Sequence, residues 1–199
     1  MSDLRRFVGA PPPKPQPPPT EQTVERCEMC GAVTGPVHGH VVDTESRSIR
    51  CSCRPCYLLF ATDSGRYRAV PDRYLPGPRL TAAEWESLGI PVGSAFFLGS
   101  EKGVAAFYPS PAGATECLLN LDAWDALCAA YPVLAAPVPE VEAMLVRNGE
   151  CFLVPVDVCY ELVGLVRLHW KGFDGGQEAH AAIDEFFSGI RAMVKESPG

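Results

Sequence analysis

The segment 26–56 constrains this chain most, because five of its nine cysteines lie there in two short clusters. The pattern is C-x2-C, twenty residues, then C-x-C-x2-C, with His38 and His40 between the clusters. A C-x2-C turn brings two thiolates to one ion, and two such turns on adjacent hairpins complete a tetrahedron. The spacing therefore predicts a bound metal, with these first-choice ligands: Cys27, Cys30, Cys53 and Cys56.

The sequence leaves the role of the fifth cysteine and of the two histidines open. Cys51 could replace Cys53 as a ligand, remain a spare thiol, or join His38 and His40 around a second ion. His-x-His on one strand projects both rings to the same face, as in many sites built on sheets. Polar residues of a turn would explain the two histidines as well.

The expected metal is Zn²⁺, with iron as the alternative, because the two ions use overlapping sets of cysteine ligands. The start of the chain, MSDLRRFVGAPPPKPQPPP, lacks the apolar stretch of a secretion signal. No run approaches the roughly 18 apolar residues of a membrane span. We therefore expect a cytoplasmic protein, in which clustered cysteines serve as ligands or redox groups rather than as disulfides.

The sequence predicts three parts: a disordered proline-rich tail over 1–25, a metal-binding cysteine ribbon over 26–60, and an α+β domain over 61–199. Short apolar runs and helix signals alternate without a regular βαβ rhythm, which indicates an antiparallel sheet with packed C-terminal helices. An amphipathic helix is predicted over 177–196. The fold class is thus α+β, with a small zinc-ribbon or rubredoxin-like module in front.

Local signals place several elements within the α+β domain. Thr81 followed by Glu84 three positions on is a capping box and predicts a helix start. Asp122 and Asp157 each precede an apolar segment and are predicted as N-caps of two further helices. Asn148–Gly149 between two apolar runs predicts a tight β-hairpin.

Charge is distributed unevenly and argues against a nucleic-acid binder. Residues 1–80 carry eleven Lys or Arg against eight Asp or Glu, whereas residues 81–199 carry six against sixteen. A nucleic-acid interface needs a concentrated basic face, and the acidic second part does not offer one.

The sequence makes no affirmative case for an enzyme. It contains no metalloprotease, Rossmann, Walker or nucleophile-elbow pattern. The four cysteines outside the clusters lie in apolar periodic segments, where packing in the core is the expected role: Cys117, Cys128, Cys151 and Cys159.

Longer motifs resemble an uncharacterised actinobacterial protein family, a domain of unknown function found in gene clusters of high-affinity NiFe uptake hydrogenases. The resemblance covers about 26–195 and rests on these motifs: RCEMCG, HGHVVD, RSIRCSCRPCYLLF, GRYRAVPDR, AFYPSPAGATE, LDAWDAL and FLVPVDVCYELVGLVRLHWKGFDGGQEA. It implies that both cysteine clusters and the H-x-H are family features that act together. It also implies a NiFe hydrogenase, or its maturation or electron-transfer proteins, as partners.

Three functions follow as expectations. The first is a non-catalytic accessory or adaptor protein, in which a cysteine-ligated Zn²⁺ holds the fold and the surface docks on partner proteins. The second is a rubredoxin-like one-electron carrier with iron at the same cysteines. The third is a metal or cluster delivery factor, with an exchangeable site at Cys51, His38 and His40.

Overall fold

The computed structural model describes residues 24–61, 65–172 and 174–196, so nearly all of the predicted proline-rich tail lies outside the described residues. A three-stranded and a six-stranded antiparallel sheet account for all the strands found there. Five α-helices accompany them in the described ranges. The α+β class with antiparallel sheets and C-terminal helices is confirmed.

The small sheet is built around strand β1 (Gly39–Asp43), which lies between β2 (Ser48–Ser52) and β3 (Tyr67–Ala69). Asp43, at the end of β1, is fully buried and accepts hydrogen bonds from Arg66 Nε at 3.0 Å and Nη2 at 2.8 Å. These bonds from Arg66 outweigh the cost of burial and hold the pKa of the Asp43 carboxyl well below its usual range. The ion pair between buried Asp43 and Arg66 thereby fixes the β1–β2 hairpin against β3.

Helix α1 (Arg54–Leu59) follows β2 almost directly, with Cys53 as its N-cap and a proline in its first turn. The second cysteine cluster therefore lies at a helix start, not on a second hairpin turn as the ribbon prediction required. The physical reason is Pro55, whose fixed φ and missing N–H suit the first helical turn. The cysteine cluster exists, but its scaffold combines a turn, a hairpin and a helix.

The larger sheet has the strand order β4-β9-β8-β5-β6-β7. The predicted hairpin is present: β8 and β9 are joined at Asn148–Gly149, where both residues have positive φ, as a two-residue turn requires. The strands span β4 (Leu75–Arg79), β5 (Ser94–Ser100), β6 (Gly103–Ser110), β7 (Gly113–Cys117), β8 (Glu142–Arg147) and β9 (Glu150–Pro155).

Helices cover both faces of the larger sheet because the side chains of its central strands point alternately into two hydrophobic cores. Phe97 stacks on Trp124 at 4.3 Å between ring centroids in one core, whereas its neighbour Phe96 packs with Leu162 and Phe187 in the other. The helices are α2 (Ala82–Ser87), α3 (Leu121–Ala130), α4 (Val156–His169) and α5 (Gly176–Glu196). Within the described ranges, none of the helices combines the length and the apolar character that a bilayer crossing demands.

Helix starts were predicted correctly at one of three positions. Thr81 and Glu84 form the expected capping box. The N-cap of α3 is Asn120 rather than Asp122, which lies in the first turn. Asp157 is likewise not a cap: α4 begins directly after β9, with Asp157 in its first turn. Acidic residues are favoured there by the helix dipole, so the type of residue was informative but its position was not.

The small sheet is attached to the larger one through an apolar cluster and an ion pair whose carboxylate is buried. Val42 and Val70 pack with Val156 at the start of α4. Glu142, fully buried, accepts 2.7 Å hydrogen bonds from Arg73 Nε and the backbone N–H of Val138. Arg73 thus anchors the connection between β3 and β4.

Replacing the buried carboxylate, Glu142→Gln, should lower the free energy of unfolding by about 2 kcal/mol, because the new amide NH2 would face one of the donors, Arg73 or the Val138 N–H, at a buried position. Glu150→Gln is the matched control: the Glu150 side chain is partly exposed, so water can replace the lost contacts and the loss should stay below about 1 kcal/mol. Urea unfolding followed by circular dichroism measures both. Equal losses would contradict the role assigned to Glu142.

Candidate metal centre

The first cysteine pair lies in a tight turn that is closed by backbone hydrogen bonds. The Gly31 N–H donates to the Cys27 carbonyl at 2.8 Å, and the Cys27 N–H donates to the Ala32 carbonyl at 2.8 Å. Gly31 has φ +76°, a conformation that favours glycine. The turn therefore closes only because a glycine follows Cys30.

Backbone donors make Cys27 an acidic thiol. Burial resists its ionisation, but hydrogen bonds from the backbone N–H groups of Cys53, Met29 and Cys30 lower the pKa of Cys27 to about 6. A thiolate is therefore stabilised here near neutral pH, and the thiolate is the form that binds a metal.

The second pair lies on α1 and meets the first. Cys53 is the N-cap and Cys56 lies in the first turn, with the Tyr57 N–H donating to the Cys53 carbonyl at 2.9 Å. The four sulfurs all lie within 4.8 Å of one another, and the Cys30 and Cys53 sulfurs are 3.6 Å apart. Cys27 and Cys56 are buried, whereas Cys30 is exposed. The arrangement has the ligand count and the spacing that a tetrahedral ion needs.

Four thiols this close cannot all ionise unaided. Hydrogen bonds to Cys30 and Cys53 raise the pKa of Cys56 to about 12, so that the thiol next to an ionised Cys27 keeps its proton. A cation at the centre would reverse this preference, because it replaces repulsion between thiolates by attraction. The chemistry of the four cysteines is thus that of a cation site.

The remaining three predicted ligands form a second, separate group. The ligand atoms of His38, His40 and Cys51 lie within 4.8 Å of one another. His40 on β1 stands directly opposite Cys51 on β2 in the strand register. The seven residues that the resemblance implied to act together are therefore divided into a group of four and a group of three.

Asp157 lies against the three-residue group, a contact that sequence reasoning missed. Its Oδ2 lies 2.6 Å from His40 Nδ1, although 117 residues separate the two in sequence. The hydrogen bond to Asp157 raises the pKa of the His40 imidazole despite partial burial. No local pattern could reveal this contact, since an acidic residue at a predicted helix start is explained by capping alone.

Gly39 and Tyr57 also escaped the sequence interpretation. A Cβ at Gly39 would lie 2.4 Å from Cδ2 of the Tyr57 ring, so the ring packs directly on the backbone between the two histidines. The Tyr57 hydroxyl donates to the Val70 carbonyl at 2.9 Å, which fixes the ring. The glycine between the two histidines was the one sequence signal that another group packs closely on the backbone there.

A cleft of about 1320 Å³ lies between the small sheet and the start of α4, beside the contacts that join them. Its walls carry ionisable and aromatic side chains from both parts of the protein, including His38, His40, Tyr74, Asp157, Tyr160 and Glu161. His38 and His40 therefore border a space into which a small molecule could enter.

The cysteines outside the two clusters are packing residues, as predicted. Cys151 and Cys159 are buried, and Cys117 and Cys128 are partly buried against the core. Burial raises the pKa of Cys151 to about 12, so its thiol stays protonated and unreactive.

Comparison with protein families shows the family of this chain. The model of a family of unknown function (DUF5947) matches residues 26–194, which include both cysteine clusters, the two histidines and Asp157. Searches of curated proteins and of solved structures gave no match.

Substituting Gly39→Ala should displace the Tyr57 ring and lower the free energy of unfolding by about 2 kcal/mol, because the added methyl group has no room. Gly35→Ala is the control, since a Cβ there meets nothing closer than 3.9 Å. Thermal unfolding of the two variants provides the measurement. A Gly39→Ala protein as stable as Gly35→Ala would show that the ring does not hold β1.

Proposed function

The chain belongs to the family of unknown function DUF5947, and we propose that it is a metal-binding accessory protein whose four-cysteine centre holds one Zn²⁺ and mainly stabilises the fold. The observation that carries this proposal is the convergence of four sulfurs within 4.8 Å. The backbone N–H groups that point at Cys27 add to it, because they stabilise a thiolate before any metal arrives.

A structural role fits the small apolar core of this part of the protein. Only a few apolar side chains in and next to the small sheet are buried, among them Val41, Val42 and Val70. A zinc ion held by four thiolates contributes on the order of 10 kcal/mol of folding free energy in small modules. Four protein ligands also fill the tetrahedron and leave no position for a substrate.

Iron at the same cysteines is the second candidate, and one observation favours it. Cys30 is exposed, so a redox ion would lie close to the surface, where electrons can be exchanged with a partner. The ligands suit both ions. The two functions differ in colour, since zinc is spectroscopically silent and ferric thiolate is not.

Purified without oxygen and passed through a column with a mild chelator, the protein should retain one Zn²⁺ per chain and remain colourless. Cys56→Ser should lose this ion and much of its thermal stability, because three thiolates no longer close the site. Cys128→Ser, half-buried on α3, is the matched control and should keep the ion. Metal analysis and thermal unfolding measure both effects.

Visible thiolate-to-iron bands with one iron per chain would favour the electron-carrier function over the structural zinc site. A chain that holds no metal after anaerobic purification and still unfolds at the same temperature would rule out both functions.

The proposed partner is a NiFe hydrogenase or one of its maturation or electron-transfer proteins, in the cytoplasm. Support for it comes from the resemblance of the sequence motifs. The opposite charges of the two halves of the chain add a physical means of docking, since complementary fields steer association. Arg54 on α1 is exposed beside the four-cysteine centre and is a candidate contact.

Arg54→Glu should slow association with a purified NiFe hydrogenase and raise the Kd, because it reverses a charge on the docking face. Arg167→Glu is the matched control, since Arg167 is exposed on α4 in the acidic half. Biolayer interferometry at two salt concentrations measures both rates. If the hydrogenase does not bind the unmodified protein, the proposed partner is wrong while the zinc proposal stands.

A further inference from the structure

The three-residue group of His38, His40 and Cys51 lies where two strands hold it in place. His38 precedes β1, His40 lies in β1, and alternation along an extended chain brings both rings to one face. Cys51 faces His40 across the β1–β2 ladder. The ring centroids of the two histidines are 5.0 Å apart. The ladder of hydrogen bonds therefore sets the positions of His40 and Cys51, and His38 lies one residue before it.

The hydrogen bonds of the two rings leave the same nitrogen available on each. His38 Nδ1 lies 3.0 Å from the Gly35 carbonyl oxygen, which can only accept, so Nδ1 carries the proton. His40 Nδ1 donates in the same way to the Asp157 carboxylate at 2.6 Å. Both Nε2 atoms then carry lone pairs, the form in which imidazole binds a metal. A carboxylate or carbonyl behind each ring is the usual arrangement around histidine ligands.

His38 Nε2 makes no hydrogen bond with any residue in the described part of the chain. The His38 side chain is only 10% exposed, and its Nε2 is buried without a hydrogen-bond partner among the described residues. A buried polar atom of this kind is uncommon and needs an explanation. Contact between two neutral rings would not satisfy this lone pair, whereas an ion shared with His40 and Cys51 would.

A carboxylate lies close to each of the three residues. Asp157 binds His40, Glu25 Oε2 lies 3.5 Å from His38 Nδ1, and Glu28 Oε2 accepts from the Cys51 N–H at 2.7 Å. Their negative charge favours a cation between the three ligand atoms. The group thus combines nitrogen and sulfur ligands, a buried lone pair without a partner, and a surrounding field of the right sign.

We propose that His38, His40 and Cys51 form a second, exchangeable divalent metal site of the zinc type, separate from the four-cysteine centre. Within the described residues, no fourth His, Cys, Asp or Glu joins this group. One position of a tetrahedral ion would therefore take water or a small anion from the cleft that borders both histidines. Three protein ligands with one open position are typical of zinc sites that bind ligands or do chemistry.

Cobalt(II) tests the site directly, because it takes zinc positions and absorbs visible light. Protein that retains its tightly held ion should bind one further Co²⁺ per chain, with tetrahedral bands and charge-transfer absorption from a single thiolate. Cys51→Ser should abolish the charge-transfer band and His38→Gln should weaken binding. Cys117→Ser, half-buried, and His180→Gln, exposed on α5, are the matched controls and should bind Co²⁺ normally.

Asp157→Asn keeps all three ligands, so it tests the site even if the ligand variants fail to fold. It should raise the Kd for Co²⁺ by roughly 10- to 100-fold, as loss of a carboxylate behind a histidine ligand does. Asp125→Asn, the same change at an exposed position of α3, is the matched control and should not change the Kd. Azide added to the cobalt protein should shift the visible bands, since it can occupy the open position.

Two results would overturn the second site. One is the absence of tetrahedral absorption at excess Co²⁺ in a folded protein. The other is cobalt absorption that survives Cys51→Ser but disappears in Cys56→Ser, which would place the ion at the four-cysteine centre. The two proposals can fail separately: a Co²⁺ that depends on Cys51 but not on Cys56 would support this site even if the four cysteines held no metal.

Discussion

Strand β1 is the constraint on which the rest of the structure depends, because both of its faces and both of its edges are occupied. Its edges pair with β2 and β3. One face carries His40 and Val42, which meet Asp157 and Val156 at the start of α4. The alternate positions carry Gly39, which lies against the Tyr57 ring of α1. A shift of one residue in β1 would exchange these faces and separate every group that they bring together.

Local patterns were sufficient for the parts of the fold and of the site that depend on neighbours in sequence. The capping box at Thr81, the hairpin at Asn148–Gly149 and the four cysteines in two C-x2-C pairs are all short-range signals, and the structure brings each set together. The ribbon scaffold was not confirmed because Pro55 starts a helix where a turn was expected. The start of α4 was misplaced because β9 leads into it without a loop, so the sequence has no boundary signal.

Long-range contacts explain what the sequence could not show. Asp157 reaches His40 from a part of the chain that has its own local explanation, helix capping. The division of seven candidate ligands into four and three likewise depends on the strand register, which places Cys51 opposite His40 although Cys53 lies only two positions further on. Ligand types can be counted in a sequence, but their partition among ions follows from tertiary structure.

The sequence distance between His40 and Asp157 has a consequence for synthesis of the chain. All four cysteines of the first centre lie between residues 27 and 56, so its ligands leave the ribosome before most of the larger sheet is made. Chains generally fold from the N-terminus as they emerge. His40, in contrast, gains its carboxylate partner only after Asp157 has been added and α4 has docked. The four-cysteine group can therefore close before His40 acquires the carboxylate behind its ring.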